Sequence, residues 1–310
     1  MTRTQVSYIL SLAKCRSFGA AADECFISQS TLSAMIAKFE EQIGIEIFSR
    51  KTRPICVTDK GQKIINALEN IHREFLMLDE RVREIKEIEE GHIRLACIPT
   101  VAPFLFPMSL DRISQSFSKV DFNIYELTTE NIVRDLINGK IDIGIVSLPL
   151  NDKHLEEHHL YDESFYIYDY GSKNKTKKYK VSDIDINRLW ILEEGHCMRN
   201  QIGKICNLKQ KKRMNGNLTY NCGSINTLIE MVHKNKGITL LPQLAIDNNQ
   251  NIVRDHIHSF KGTALVRKIG IVVHKNFARR RFLGQLIQIL KESVNIKTYK
   301  SRNLKYLDPY

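Results

Sequence analysis

Two thiols stand nine positions apart in "EEGHCMRNQIGKICNLK" (Glu193–Lys209): Cys197 and Cys206, with His196 just before the first and Arg199 two residues after it. Such a pair can carry redox chemistry. The thiolate is the nucleophile, so a reactive cysteine needs a nearby positive charge or a helix N-terminus to lower its pKa. Oxidation by a peroxide gives a sulfenic acid, which a second cysteine within reach captures as a disulfide. His196 and Arg199 supply charge and Gly195 can open a helix, whereas Glu193 and Glu194 oppose ionisation if their carboxylates face the sulfur. If Cys197–Cys206 is helical, nine steps of about 1.5 Å separate the Cα atoms by about 13 Å. A disulfide tolerates at most about 7 Å. Oxidation would then have to refold the segment. Two unrelated packing cysteines are the alternative for any such pair.

The elements that position these thiols must come from a chain of 310 residues, enough for two or three domains. A hydrophobic share of 43% is that of a globular protein. No secretory signal opens the chain. The longest uncharged run, Leu95–Leu110, is 16 residues, short of the roughly 18 of a membrane span. Its Pro99, Pro103 and Pro107 are expected to break a regular helix. These features predict a cytoplasmic protein with no membrane association and reduced thiols. The seven cysteines are scattered without a CxxC pair. Cys15, Cys25, Cys56 and Cys97 read as packing residues, and Cys222 stays open. "HLEEHH" places His154 and His158 at i,i+4, a metal pair if helical, but offers no third ligand. No metal and no cofactor are expected. The net charge is +11, yet residues 1–90 hold 13 Lys/Arg against 14 Asp/Glu. The excess collects in Ser172–Lys180, Lys209–Arg213 and the tail from Lys297, all read as solvated loops.

The N-terminal segment nonetheless has the pattern of a DNA reader. Val6, Ile9, Leu10 and Ala13 share a helix face. Ser17 can cap a second helix through Ala20, Ala21, Ala22 and Cys25, and "FIS" (Phe26–Ser28) makes a turn in which Ser28 caps a third. There Leu32, Ile36, Phe39 and Ile43 face inward, leaving Gln29, Thr31, Ser33, Ala34, Ala37 and Lys38 outside, a short polar surface suited to a major groove. Two β-prone runs, Glu46–Phe48 and Ile55–Thr58, flank Arg50, Lys51 and Arg53, a basic wing for backbone phosphates. Residues 4–60 read as a winged helix-turn-helix, with a helical protein-interaction module as the alternative. Thr58 can cap a long helix in which Ile64, Leu68, Ile71, Phe75, Leu78, Val82 and Ile85 repeat every 3.5 residues, the seam of a coiled-coil dimer.

Past Gly91 strands alternate with helices. "HIRLACI", "FNIYEL" and "IDIGIVSL" alternate with helices at Met108–Phe117 and Asn131–Asn138, the rhythm of a parallel α/β sheet. "FYIYDY" opens a second unit with "LWIL", a helix near Ser224–His233 and "GITLL"; "KIGIVVH" and a helix at Phe282–Leu290 close the chain. A cleft between two such units is a ligand or sensing site, with hinge motion as its switch.

"FGAAADECFISQSTLSAMIAKFEEQIGIEIFSR…VTDKGQKII" resembles the DNA-binding domain of LysR-type transcriptional regulators over about fifty residues. Ser30 replaces a proline common there, and Lys60 an alanine. "IPTVAPFLFP", "GHCMRNQ…C" and "KGITLLP" further resemble the hydrogen-peroxide-sensing branch of that family. The resemblance implies an α/β multidomain chain. A winged helix-turn-helix at 1–60 leads into a dimerisation helix at 58–90. A regulatory domain like a periplasmic binding protein follows, with one subdomain at 91–163 and 266–300, the other at 164–265, and a basic tail at 301–310. It implies double-stranded DNA contacts from Gln29, Ser30, Thr31, Ser33, Lys38, Arg50 and Arg53, and a homotetramer built as a dimer of dimers. Peroxide would be the signal, with Cys197 oxidised and paired with Cys206. Thr100 and Thr129 would hold the peroxide, His196 and Arg199 would polarise it, and thiol reductants such as glutaredoxin or thioredoxin would reverse the bond. Asn200 departs from the usual aspartate, and Gly223 from a common threonine. A regulator of the same family that binds a small organic effector in the cleft, and a thiol peroxidase, are the rival readings; the winged helix and seam speak against an enzyme.

Overall fold

Thr2, Ser17 and Ser28 each start a helix. The computed structural model describes residues 1–50, 54–86, 90–172, 178–193, 197–206, 222–294 and 304–309. Thr2 forms a capping box with Gln5 at α1 (Arg3–Cys15). Ser17 accepts the Ala20 N–H at α2 (Phe18–Glu24), and Ser28 accepts the Thr31 N–H at α3 (Gln29–Ile43). Gly44 ends α3 with a left-handed φ of 66°, which glycine adopts without strain. Val6, Ile9, Leu12, Leu32, Ile36 and Phe39 are buried at the centre of the three helices. The hairpin is shorter than its β-prone runs: β1 (Phe48–Ser49) pairs antiparallel with β2 (Cys56–Val57). Thr58 then accepts the Gly61 N–H at 2.8 Å to start α4 (Asp59–Ile85). A Cβ at Gly61 would lie 2.3 Å from the Ile47 carbonyl oxygen, so only glycine lets α4 approach this closely. The chain divides into two units, Met1–Glu87 and Ile88–Tyr310.

The second unit is built on one mixed sheet. Its elements in order are β3 (Gly91–Cys97), α5 (Ala102–Ser116), β4 (Val120–Glu126), α6 (Thr129–Ile137), β5 (Ile143–Leu148) and β6 (Leu155–Asp169). Then come α7 (Cys197–Cys206), α8 (Ile225–Lys234), β7 (Ile238–Pro242), α9 (Gln243–Asn248), β8 (Ile257–His258), β9 (Ala264–His274), α10 (Arg280–Ser293) and β10 (Leu304–Tyr306). The strand order is β4-β3-β5-β9-β6-β7, with β8 beside β6 and β10 beside β9. β3 runs parallel to β4 and β5, as the βαβ rhythm predicts. The return strand β9 enters antiparallel to both β5 and β6, which makes the sheet mixed rather than parallel. The 15-residue β6 pairs along its first part with β9 and at its end with β7 and β8, so one strand serves both halves.

Several expectations are corrected. Pro103 and Pro107 lie within α5 rather than breaking it. Pro103 sits in the first turn, where its missing N–H has no intrahelical acceptor, and the buried Phe104, Leu105, Phe106 and Ile113 hold the rest. "HLEEHH" belongs to β6 and its lead-in, not to a helix, so His154 and His158 do not share one turn. No metal-holding group of three or more His, Cys, Asp or Glu occurs among the described residues. "LWIL" makes only single bridges, Leu189 to Ile238 and Leu192 to Cys222. The tail is not wholly a solvated loop: Leu304–Tyr306 pairs with Ala264–Val266, and Leu307 is buried. The runs 173–177, 209–213 and 297–303 lie outside the described residues. No described helix is long and apolar enough to cross a membrane.

Candidate functional site

The two thiols occupy opposite ends of α7, a helix of 10 residues, and both are free. That length keeps their Cα atoms about 13 Å apart. Cys197 is its first residue and is 5% exposed. Burial pushes its thiol above the ordinary range. The Arg267 guanidinium, the Thr129 hydroxyl and the backbone N–H groups of Met198 and Cys197 pull it back without cancelling that shift. Thr129 opens α6; its buried hydroxyl is near enough to the sulfur to lower the Cys197 pKa and has no hydrogen-bond partner among the described residues.

Arg267 is the residue that the sequence reading missed. It is fully buried on β9, opposite Glu163 on β6 in the antiparallel register, and the two form an ion pair with both partners at 0% exposure. Arg267 Nε donates to Glu163 Oε2 at 2.8 Å, one terminal nitrogen to Thr100 Oγ1 at 3.0 Å and the other to the Thr100 carbonyl at 3.2 Å. Thr100 therefore accepts through its oxygen and keeps its own proton to donate. Arg267 is the largest of the groups that lower the Cys197 pKa, but burial of the thiol outweighs it. Two further groups share this interior. Cys97 and the Tyr161 hydroxyl are both held well above their usual pKa by burial, and Tyr161 Oη has no partner among the described residues. The signal that could have found Arg267 is a charge inside the otherwise apolar "ALVRKIGIVV", matched by Glu163 in another buried strand; buried charges come in pairs.

The other expected members fare differently. Arg199 donates to the Leu192 carbonyl at 3.0 Å, tying α7 to the chain before it. His196, Gly195 and Glu194 lie outside the described residues. Cys206 is 7% exposed and lines a hollow of about 340 Å³ with Val181, Ile184, Ile186 and Ile205; burial pushes its thiol up to about 11. Asn200 and the fully buried Gln201, between the two thiols, bond to the segment after β10.

In the first unit Gln29, Ser30, Thr31 and Lys38 are exposed and Ser33 is half-buried, all on α3. Arg50 is held by Glu40 at 3.2 Å and lies over the Phe18 ring, while Lys51 and Arg53 fall outside the described residues. The seven-residue seam of α4 divides. Leu68 is buried in the helical core, with Ile64, Ile71 and Phe75 packed against it. Leu78, Val82 and Ile85 stand 58%, 41% and 81% exposed, an apolar stripe that nothing among the described residues covers.

Residues 4–62 match the bacterial regulatory helix-turn-helix protein, lysR family, and residues 86–295 match the LysR substrate binding domain. The chain belongs to the LysR family of transcriptional regulators. Among its relatives, the DNA-binding transcriptional dual regulator OxyR of Escherichia coli K12 is 31% identical over 79% of this chain and 80% of its own length. The HTH-type transcriptional regulator EstR of Acinetobacter baylyi is 30% identical over 86% and 85%. A full-length OxyR variant from Pseudomonas aeruginosa, solved as a structure, superposes with a TM-score of 0.73 at 25% identity, covering 94% of this chain and 95% of that one. As a LysR-family member the chain is a DNA-binding regulator of transcription rather than an enzyme.

Proposed function

We propose that the chain is a peroxide-responsive regulator whose switch is α7. The observation that carries this reading is that one short helix begins at a buried cysteine facing Arg267 and Thr129 and ends at a second free cysteine. The Cys197 thiolate attacks one oxygen of hydrogen peroxide. The O–O bond breaks, sulfur is oxidised to the sulfenic acid, and hydroxide leaves to take up a proton as water. Thr100 and Thr129 hydroxyls hold the peroxide, and Arg267 offsets the charge on the departing oxygen. The Cys206 thiolate then attacks the sulfenic sulfur, the S–O bond breaks, and the departing hydroxide takes up the proton released when that thiol ionised, giving the disulfide and a second water. A dithiol reductant of the glutaredoxin or thioredoxin class reverses the bond by thiol–disulfide exchange. Because a disulfide cannot span the ends of an intact α7, the bond refolds it.

DNA is met through Gln29, Ser30, Thr31, Ser33 and Lys38, with Arg50 and Arg53 on phosphates. The exposed stripe of Leu78, Val82 and Ile85 closes a dimer, which pairs again as a tetramer. Leu78→Asp puts a charge in that seam and should give monomers by analytical ultracentrifugation at concentrations where the unaltered protein is dimeric or larger.

Thiol mapping after brief hydrogen peroxide treatment tests the switch. A Cys197–Cys206 crosslinked peptide, with Cys206→Ser trapping sulfenic acid on Cys197, is the expected result. Both thiols staying reduced in excess peroxide would sink it. EstR, at 30% identity against 31% for OxyR, is as near a relative on this measure without a peroxide in its name, so the second reading is a family member taking a small organic effector between the subdomains. A peroxide response that persists in Cys197→Ser protein would favour that reading.

A further inference from the structure

The segment Leu304–Pro309 crosses the second unit as a strap. Leu304–Tyr306 runs parallel to Ala264–Val266, and the Leu307 N–H donates to the Val266 carbonyl at 2.8 Å. The Tyr306 hydroxyl donates to Asp162 Oδ2 at 2.8 Å, and the Lys268 ammonium lies 4.7 Å from its ring centre. Leu307 and Pro309 are buried. Past Tyr306 the strap reaches α7. Gln201 Nε2 donates to the Leu307 carbonyl at 3.0 Å and to Ser147 Oγ on β5 at 3.1 Å. Asn200 Nδ2 donates to the Pro309 carbonyl at 3.4 Å, a donation that a carboxylate at this position could not make.

We propose that Leu304–Pro309 is a latch: it holds α7 helical while the thiols are reduced, and the Cys197–Cys206 disulfide releases it. The proposal rests on the redox reading of α7 and names its regulation. Asn200 and Gln201 lie between the two cysteines, so drawing the Cα atoms from about 13 Å to within about 7 Å moves both amides off their acceptors. Gln201 reaches Ser147 and Leu307 together only from its place on the helix, and its amide is wholly buried. Coupling runs both ways. If the disulfide frees the strap, loss of the strap contacts favours the disulfide, about tenfold in the thiol–disulfide equilibrium for contacts of this strength. That tenfold is ~30 mV more negative for a two-electron couple.

Hydrogen–deuterium exchange of the full-length chain, with thiols mapped in the same samples, tests the latch. In reduced protein, Gln201→Ala should speed exchange at the Leu307 amide about tenfold while amides of α8 keep their rates. Unchanged exchange there overturns the latch whether or not a disulfide forms. In peroxide-treated protein whose disulfide is confirmed by mass, Leu304–Leu307 should lose protection, and Cys206→Ser protein with sulfenic acid on Cys197 should keep it. A confirmed disulfide with the strap still protected overturns the release step. If peroxide leaves both thiols free, it is the redox reading that fails, and the Gln201→Ala result still decides whether the strap holds the helix.

Discussion

Helix α3 runs 15 residues between a Ser28 cap and a left-handed Gly44, and buries Leu32, Ile36 and Phe39 on one face. Helix α7 runs 10, and the residues it buries are Cys197, Met198, Gln201, Ile202 and Cys206, three of them polar or thiol. An isolated helix shorter than about 12–15 residues is marginal in water. α3 is therefore held by its own caps and apolar face. α7 is held from outside, through Arg199 to Leu192, Gln201 to Ser147 and Leu307, and Asn200 to Pro309. The difference suits the two tasks. In the proposed roles, a surface that reads DNA must keep its shape, whereas a redox switch needs a second arrangement within reach of one covalent bond.

Four outcomes sharpen or break this contrast. The largest concerns Cys197. Its thiol lies above the ordinary range, so thiolate is the minor form at neutral pH and grows about tenfold per unit as pH rises toward the pKa. The second-order rate of Cys197 oxidation, followed by stopped flow with peroxide, should climb without levelling between pH 6.5 and 8.5. A plateau below pH 7 would mean a pKa lower than this surrounding allows. Next, Arg267→Met leaves Glu163 charged and unpaired in the interior and should cost roughly 3–5 kcal/mol by urea unfolding. Arg267→Met with Glu163→Gln should recover much of that stability but not the oxidation rate. Leu32→Ala, which opens a hole under α3, should destabilise the first unit by about 2–5 kcal/mol. Its effect on the oxidation of Cys197 should be nil. Ser28→Ala removes only a cap and should cost about 1 kcal/mol in the same unfolding experiment.

The first unit was legible because its signals are local. Ser17, Ser28 and Thr58 cap the helices they precede, and the four-three-four spacing of Leu32, Ile36, Phe39 and Ile43 marks the inward face. The seam of α4 was legible as a period but not in its division of labour. The 3.5-residue repeat is the same whether a side chain meets its own domain, as Leu68 does, or is left uncovered, as Ile85 is. In the second unit the thiols and their separation could be read, since helix rise fixes distance from spacing. Their surroundings could not. Arg267 and Glu163 are 104 positions apart and meet only because β9 returns antiparallel to β6. Local charge drew attention to Arg199 instead, which turns to Leu192. The strap was hidden for the opposite reason: Lys297, Lys300, Arg302 and Lys305 give the tail a basic look, and its apolar Leu304, Tyr306 and Leu307 gain meaning only beside a strand edge.

The most direct test of the central claim is a crystal structure of the full-length protein after peroxide treatment. The account predicts a Cys197–Cys206 bond with Cα atoms within about 7 Å, α7 unwound and Gln201 withdrawn from Ser147. Cys197 oxidised while α7 stays helical from end to end, with Cys206 still a free thiol, would contradict it.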